Sequence, residues 1–219
     1  MQGLFRGILL ICGISIFFIA KSQPAERWNV YSVSRTVNIS NLDSKKMLGN
    51  KKKGKSLENN IANFYLYKNG VQVKPSNSKI KTEFFPAACL CFKFNDTLML
   101  NSGLGSAGIG VGIKIYKDKF SGLLHANSRN EQVYKLNKGD DEYLKNILAE
   151  PESQSLKLVK RPSFSSGEII VGEYRAVYKR FYQKNDSSDE AKKYAVRIIF
   201  KCKITGIDAV KDETGLNSR

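Results

Sequence analysis

The stretch from Gly108 to Tyr116, Gly-Ile-Gly-Val-Gly-Ile-Lys-Ile-Tyr, leaves little freedom in how the surrounding chain folds. Ile109, Val111, Ile113 and Ile115 alternate with Gly108, Gly110, Gly112 and Lys114. A period of two belongs to a strand, here with one β-branched face and one nearly bare face. A helix would carry glycine at every second position, at about 1 kcal/mol each. Just upstream, Gly103, Gly105 and Gly108 spell G-x-G-x-x-G, the spacing of a dinucleotide-binding loop. Such a loop works by opening a helix whose N–H groups face a pyrophosphate. This one opens a strand, which argues against nucleotide binding. The segment reads as two strands, Thr97–Leu100 and Ile109–Tyr116, joined by a glycine corner.

Glycine within a strand marks a close approach by another group. With Phe84, Phe85, Phe92, Phe94 and ten tyrosines in the chain, an aromatic from a facing sheet is the expected cover for Gly108, Gly110 and Gly112. A ligand is the alternative, and it makes these three glycines binding candidates.

The rest of the chain repeats the strand signal. Phe64–Lys68 and Val71–Lys74 flank Asn69-Gly70, a pair that tolerates positive φ and is the strongest short hairpin signal. Trp28–Ile39, Ile80–Phe85 (ended by Pro86), Ala88–Phe94, Phe120–Ala126, Glu131–Leu136, Ser155–Lys160, Ile169–Tyr182 and Tyr194–Ile204 complete about eleven short strands, with turn signals every 8–12 residues. That pattern predicts an all-β fold, an antiparallel β-sandwich. Two sheets packed as one large domain and two small sandwiches divided near 150–155 both fit it. One segment departs from the pattern. Tyr143, Leu144, Ile147 and Leu148 fall at helical spacing between Asp140, a helix-capping residue, and Pro151, which predicts one short helix near 140–149. Tyr174, Tyr178, Tyr182 and Arg180 share a strand face that reads as core.

The N-terminus reads as a secretory signal over residues 1–22. Arg6 is followed by 14 residues, Gly7–Ala20, of mostly apolar character, and Ala20-Lys21-Ser22 places small residues at the −3 and −1 positions of a cleavage site. The run is short for a membrane-spanning helix, which needs about 20 apolar residues. Retention as an anchor is the alternative. Ile11 before Cys12 argues against lipid attachment. The Ala-Lys-Ser-Gln ending resembles the signal ends of bacterial exported proteins, a resemblance confined to this segment. It implies a protein secreted or held in the periplasm or envelope, with no transmembrane span after cleavage.

Among 219 residues the net charge is +16, of which Arg6 and Lys21 contribute two. Excess positive charge predicts attraction to polyanions and not a fold. It concentrates at Lys45, Lys46, Lys51, Lys52, Lys53 and Lys55, a polar stretch read as a basic loop that meets an anionic polymer or the envelope surface. The aromatics that single-stranded nucleic acid would stack on are missing there, so no specific nucleic acid is expected.

No catalytic signature stands out. His125 is the single histidine, with no nucleophile elbow near it. Glu83, Glu168 and Glu173 form no recognisable pair, and Asp140-Asp141-Glu142 reads as a helix start. Cys89-x-Cys91, with Cys202 and His125, lacks the C-x₂₋₄-C knuckle of structural zinc, so neither metal nor cofactor is expected. Cys202 lies on the apolar face of its strand, whereas Cys89 and Cys91 share parity with Lys93 and are expected to point outward. The resulting expectation is an exported all-β protein that works by binding or structural interaction. A polysaccharide-directed hydrolase and a polyanion-binding envelope protein are the alternatives.

Overall fold

The computed structural model describes residues 26–39, 42, 59–75, 83–104, 108–129, 131–186 and 188–206. The signal-like segment and all six lysines between 45 and 55 lie outside the described residues. The strands, in chain order, are β1 (Asn29–Val30), β2 (Ser32–Val33), β3 (Asn60–Lys68), β4 (Val71–Val73), β5 (Phe85–Phe94), β6 (Thr97–Gly103), β7 (Gly108–Tyr116) and β8 (Lys119–Asn127). They continue with β9 (Tyr134–Lys135), β10 (Asn146–Ala149), β11 (Pro151–Leu158), β12 (Ile169–Tyr178), β13 (Phe181–Lys184), β14 (Asp189–Lys192) and β15 (Tyr194–Thr205).

The fold is all-β and sandwich-like, as the alternation predicts. One layer holds β10, β8, β7, β6 and the second half of β5; the other holds β11, β12, β15, β3 and the first half of β5. Both sides of the sandwich are joined by strands that change layers. On one side, β5 pairs with β3 through Phe85–Ala88 and with β6 through Cys89–Phe94. On the other, β10 pairs with β8, and after Glu150 the chain continues as β11 beside β12. Antiparallel pairing therefore runs round as a ring, β3-β5-β6-β7-β8-β10/β11-β12-β15 and back to β3. Two short parallel contacts are added, β2 with β11 and the end of β15 with β5. The segment Asn29–Val33 fits between β8 and β11 and seals the gap beneath the Glu150 crossing.

Alternation decides which residues meet inside. Leu98, Leu100, Ile113, Ile115 and Leu124 from one layer face Leu156, Tyr174, Tyr178, Ile198 and Phe200 from the other, all at most 2% exposed. The Phe120 and Tyr174 rings meet edge-to-face across the layers, with centroids 6.2 Å apart. The tyrosine hydroxyls are satisfied internally. Tyr174 and Tyr178 share a hydrogen bond of 3.1 Å, and Tyr174 donates to Gln154 Oε1, which also accepts from the Gly122 N–H. Burial pushes the pKa of both tyrosines upward, so they stay protonated. Tight turns follow their sequence signals. Asn69 and Gly70 take φ of 50° and 82° between Lys68 and Val71, and Asn95 takes 52° between Phe94 and Thr97.

Four expectations are corrected. The 140–149 segment is not a helix: Asn146–Ala149 is β10, with Ile147 and Ala149 buried. Asp140 closes a turn by accepting from the Asn137 N–H. The exposed backbone edge of β8 offers Asn146–Ala149 four register partners, and that pairing outweighs helical spacing in a segment too short to hold a helix alone. Second, Pro86 does not end a strand but lies inside β5, opposite Asn63 where β5 leaves β3. Third, the Ile169–Tyr182 strand breaks after Tyr178, and Phe181–Lys184 pairs instead with β14 and β9 in a separate three-stranded sheet. Fourth, Cys89 and Cys91 point inward and are buried, while Leu90 is 52% exposed. Lys93 misled the parity because at the strand end even an inward-phased side chain reaches water.

Candidate functional site

The bare face of β7 points outward. Strand register sets its neighbours in rows across the layer. One row is Leu90, Asn101, Gly112 and Leu123; the next is Gly103, Gly110, His125 and Leu148. The atoms nearest above Gly112 come from His125 and Asn101 of the neighbouring strands and those nearest Gly110 are backbone, not a ring from a facing sheet, which corrects the packing expectation. A methyl group added at Gly112 would lie 2.9 Å from His125 Nε2 and 3.0 Å from Asn101 Oδ1. At Gly110 it would meet only backbone of the adjacent strand, Ser102 O at 3.4 Å. At Gly108, where φ is 129°, it would meet nothing within 4 Å.

The result is a trough with a floor of peptide backbone. Asn101 and His125 stand where two depressions meet. One is lined by Ala88, Leu90, Gly103 and Gly110, the other by Glu26, Met99, Gly112, Lys114, Ser121, Leu123 and Leu148. The second holds about 380 Å³, inside the range of small-molecule sites. Its chemistry is mixed. Met99, Leu123 and Leu148 give alkyl walls, Asn101 gives an amide, and Glu26 is ion-paired with Lys114. Partial desolvation lowers the His125 pKa from 6.5, so the imidazole is neutral at pH 7 and presents one donor and one acceptor nitrogen. Ser121 is 2% exposed, and its hydroxyl lacks any hydrogen-bond partner. A buried hydroxyl left unmade carries a desolvation cost that a bound polar group would relieve.

Nucleophilic catalysis does not follow from these residues. Ser121 and His125 are four positions apart on one strand, about 13 Å, which is out of hydrogen-bonding reach. Glu26 is the one carboxylate in the lining, and Lys114 holds it. Glu173 lies on the outer face of the opposite layer, where its Oε1 accepts from Arg175 Nε at 2.6 Å and Arg197 Nε at 2.7 Å. Burial alone would raise its pKa, but the hydrogen bonds from Arg197 and Arg175 outweigh burial and hold it below 4.5. The Arg197 guanidinium also lies 5.2 Å over the Tyr65 ring. This is a locked clamp with no free acid.

Of the residues singled out in the sequence, Gly110, Gly112 and His125 come together in the trough, and Gly108 borders it. Asn101, Ser121, Met99 and Glu26 were missed. Lys114 carries a legible signal, since it continues the parity of the three glycines. Asn101 and Ser121 become visible only once β6 and β8 are aligned with β7. Among the described residues, no group of three or more His, Cys, Asp or Glu is arranged to hold a metal ion, and no helix is long and apolar enough to cross a membrane. No protein-family model, curated protein or solved structure matches the chain.

Proposed function

We propose that this is an exported protein that acts by binding, and that its ligand is a hydroxylated ring compound of the saccharide class seated in the outer trough. The observation that carries this reading is a glycine floor edged by the Asn101 and His125 side chains and by an unpartnered buried hydroxyl, Ser121 Oγ. A floor without side chains of its own lets the C–H face of a sugar ring approach the backbone closely. Alkyl walls take its apolar face, while Asn101, neutral His125 and Ser121 supply donors and acceptors for hydroxyl groups. Export rests on Arg6, the apolar run Gly7–Ala20 and the Ala20-Lys21-Ser22 site, and N-terminal sequencing of the released protein is expected to begin at Gln23.

Titration of isotope-labelled protein with neutral mono- and oligosaccharides tests the binding reading. Amide shifts are expected at Gly110, Gly112 and Ser121, and imidazole shifts at His125, all lost in Gly112→Val. The reading fails if no saccharide perturbs these signals or if Gly112→Val binds as the parent does.

The net charge of +16 favours a second reading, attraction of an anionic polymer or envelope surface to Lys45, Lys46, Lys51, Lys52, Lys53 and Lys55. Retention on immobilised heparin is expected to fall when Lys51, Lys52 and Lys53 are replaced by Ser. Unchanged retention removes that reading.

A further inference from the structure

The three thiols of Cys89, Cys91 and Cys202 lie together in the core, at 0%, 2% and 0% exposure, and all three are unbridged. We infer that Cys202 and Cys89 form a disulfide when the chain folds in the presence of a disulfide oxidant, joining β15 to β5 where the ring closes.

The register places the pair. The end of β15 runs parallel to β5, with Ile204 opposite Cys91. Two residues back, Cys202 is paired with Asn60 at the start of β3, and Cys89 follows Ala88, the last β5 residue paired with β3, so the two cysteines flank the end of β3 with both side chains buried. The Cys202 thiol already donates to the Cys89 carbonyl oxygen at 3.2 Å. Each of the two thiols lies in hydrogen-bonding reach of the other. Cys202 is also in hydrogen-bonding reach of the Cys91 thiol, but Cys91 is aligned with Ile204, which leaves it as the spare thiol. A metal is not the explanation for the cluster, because the described residues offer no ligating geometry.

The chemistry is thiol–disulfide exchange. One protein thiolate attacks an external disulfide such as oxidised glutathione, forming a mixed disulfide and releasing one glutathione thiolate. The second protein thiolate attacks the protein sulfur of that mixed disulfide and releases the other. Two protein thiols are oxidised to the disulfide, the external disulfide is reduced to two glutathione thiols, and the two protons lost by the protein thiols end on the released glutathiones. In the finished fold, burial raises the Cys89 and Cys202 pKa values and shields both sulfurs, so attack is slow. The exchange belongs to the stage at which β15 docks between β3 and β12.

The experiment refolds the full chain from denaturant in oxidised plus reduced glutathione, and in parallel under reductant alone. Unreduced peptide mapping and thermal melting follow. The expected result is a Cys89–Cys202 linked peptide with Cys91 alkylatable, and a melting midpoint about 10 °C above the reduced form, because the link closes a loop of more than a hundred residues. Cys91→Ala keeps the link and the shift; Cys89→Ala loses both while still melting cooperatively. The inference is overturned if cooperatively folded protein carries no Cys89–Cys202 peptide, or if Cys202 is found linked to Cys91.

Discussion

Two sets of strand glycines in this molecule do opposite things. Gly122 and Gly172 face inward, where a missing side chain is replaced by a neighbour's bulk. A methyl group at Gly122 would overlap the Tyr174 hydroxyl, and one at Gly172 would lie 2.6 Å from the Lys157 carbonyl oxygen and 2.8 Å from the Phe200 ring. Gly110 and Gly112 face outward, where Gly110 meets only the backbone of the adjacent strand and Gly112 meets only the ends of the His125 and Asn101 side chains. The same residue is held against fixed core atoms on one face and against movable side-chain ends or open backbone on the other. Only the second kind has anything to offer a ligand.

Substitutions turn that contrast into numbers. Gly172→Ala is expected to cost about 3 kcal/mol by urea denaturation, since the obstacles are a backbone carbonyl and a core ring that cannot rotate away. Gly122→Ala should cost about 2 kcal/mol and displace Tyr174 from Gln154, visible as a shifted tyrosine hydroxyl signal. A loss below about 0.5 kcal/mol at both sites would erase the distinction.

On the outer face of the second layer, Glu173→Gln is expected to cost about 1 kcal/mol at pH 7, reduced by the solvent exposure of Arg175. The sign with pH is fixed. The carboxyl titrates below its ordinary 4.5, so its stabilisation is complete above that value and disappears as pH falls through the lower folded-state pKa. The gap between parent and variant should close below pH 4.5, and a gap that persists into stronger acid would mean that the clamp is not the cause.

Gly112→Ala should change stability least, within about 0.5 kcal/mol, because the atoms in its way are the ends of the His125 and Asn101 side chains. Saccharide affinity should nevertheless fall at least about tenfold, the effect of losing roughly 1.4 kcal/mol of contact. Stability and binding moving together would place Gly112 with Gly122 and not apart from it.

Much of the β architecture was legible because its cause is local. Alternation in Gly108–Tyr116 and Tyr194–Ile204, and positive φ at Asn69-Gly70, need no knowledge of distant chain. What was not legible depends on pairing. Asn146–Ala149 is a strand because β8 has an edge to fill, and Cys89 turns inward because β5 passes between layers. The trough shows both kinds at once. Its glycine floor could be read from the sequence, but the choice between aromatic cover and open space required knowing that the isoleucine face is the one turned to the core.

The ring has a further consequence for how the chain assembles. Every pairing in it joins a strand to the next ring member along the chain, passing over only the side strands β4, β9, β13 and β14, with the exception of β3 with β15. Loop-closure entropy is therefore small at each step and concentrated in one contact between segments more than a hundred residues apart. Hairpins can form as the chain emerges, but the core stays open along one side until Tyr194–Thr205 arrives. A ribosome-stalled chain ending before residue 194 would display Phe64 and Tyr174 to solvent, making the interval before β15 the period of greatest exposure to chaperones and proteases.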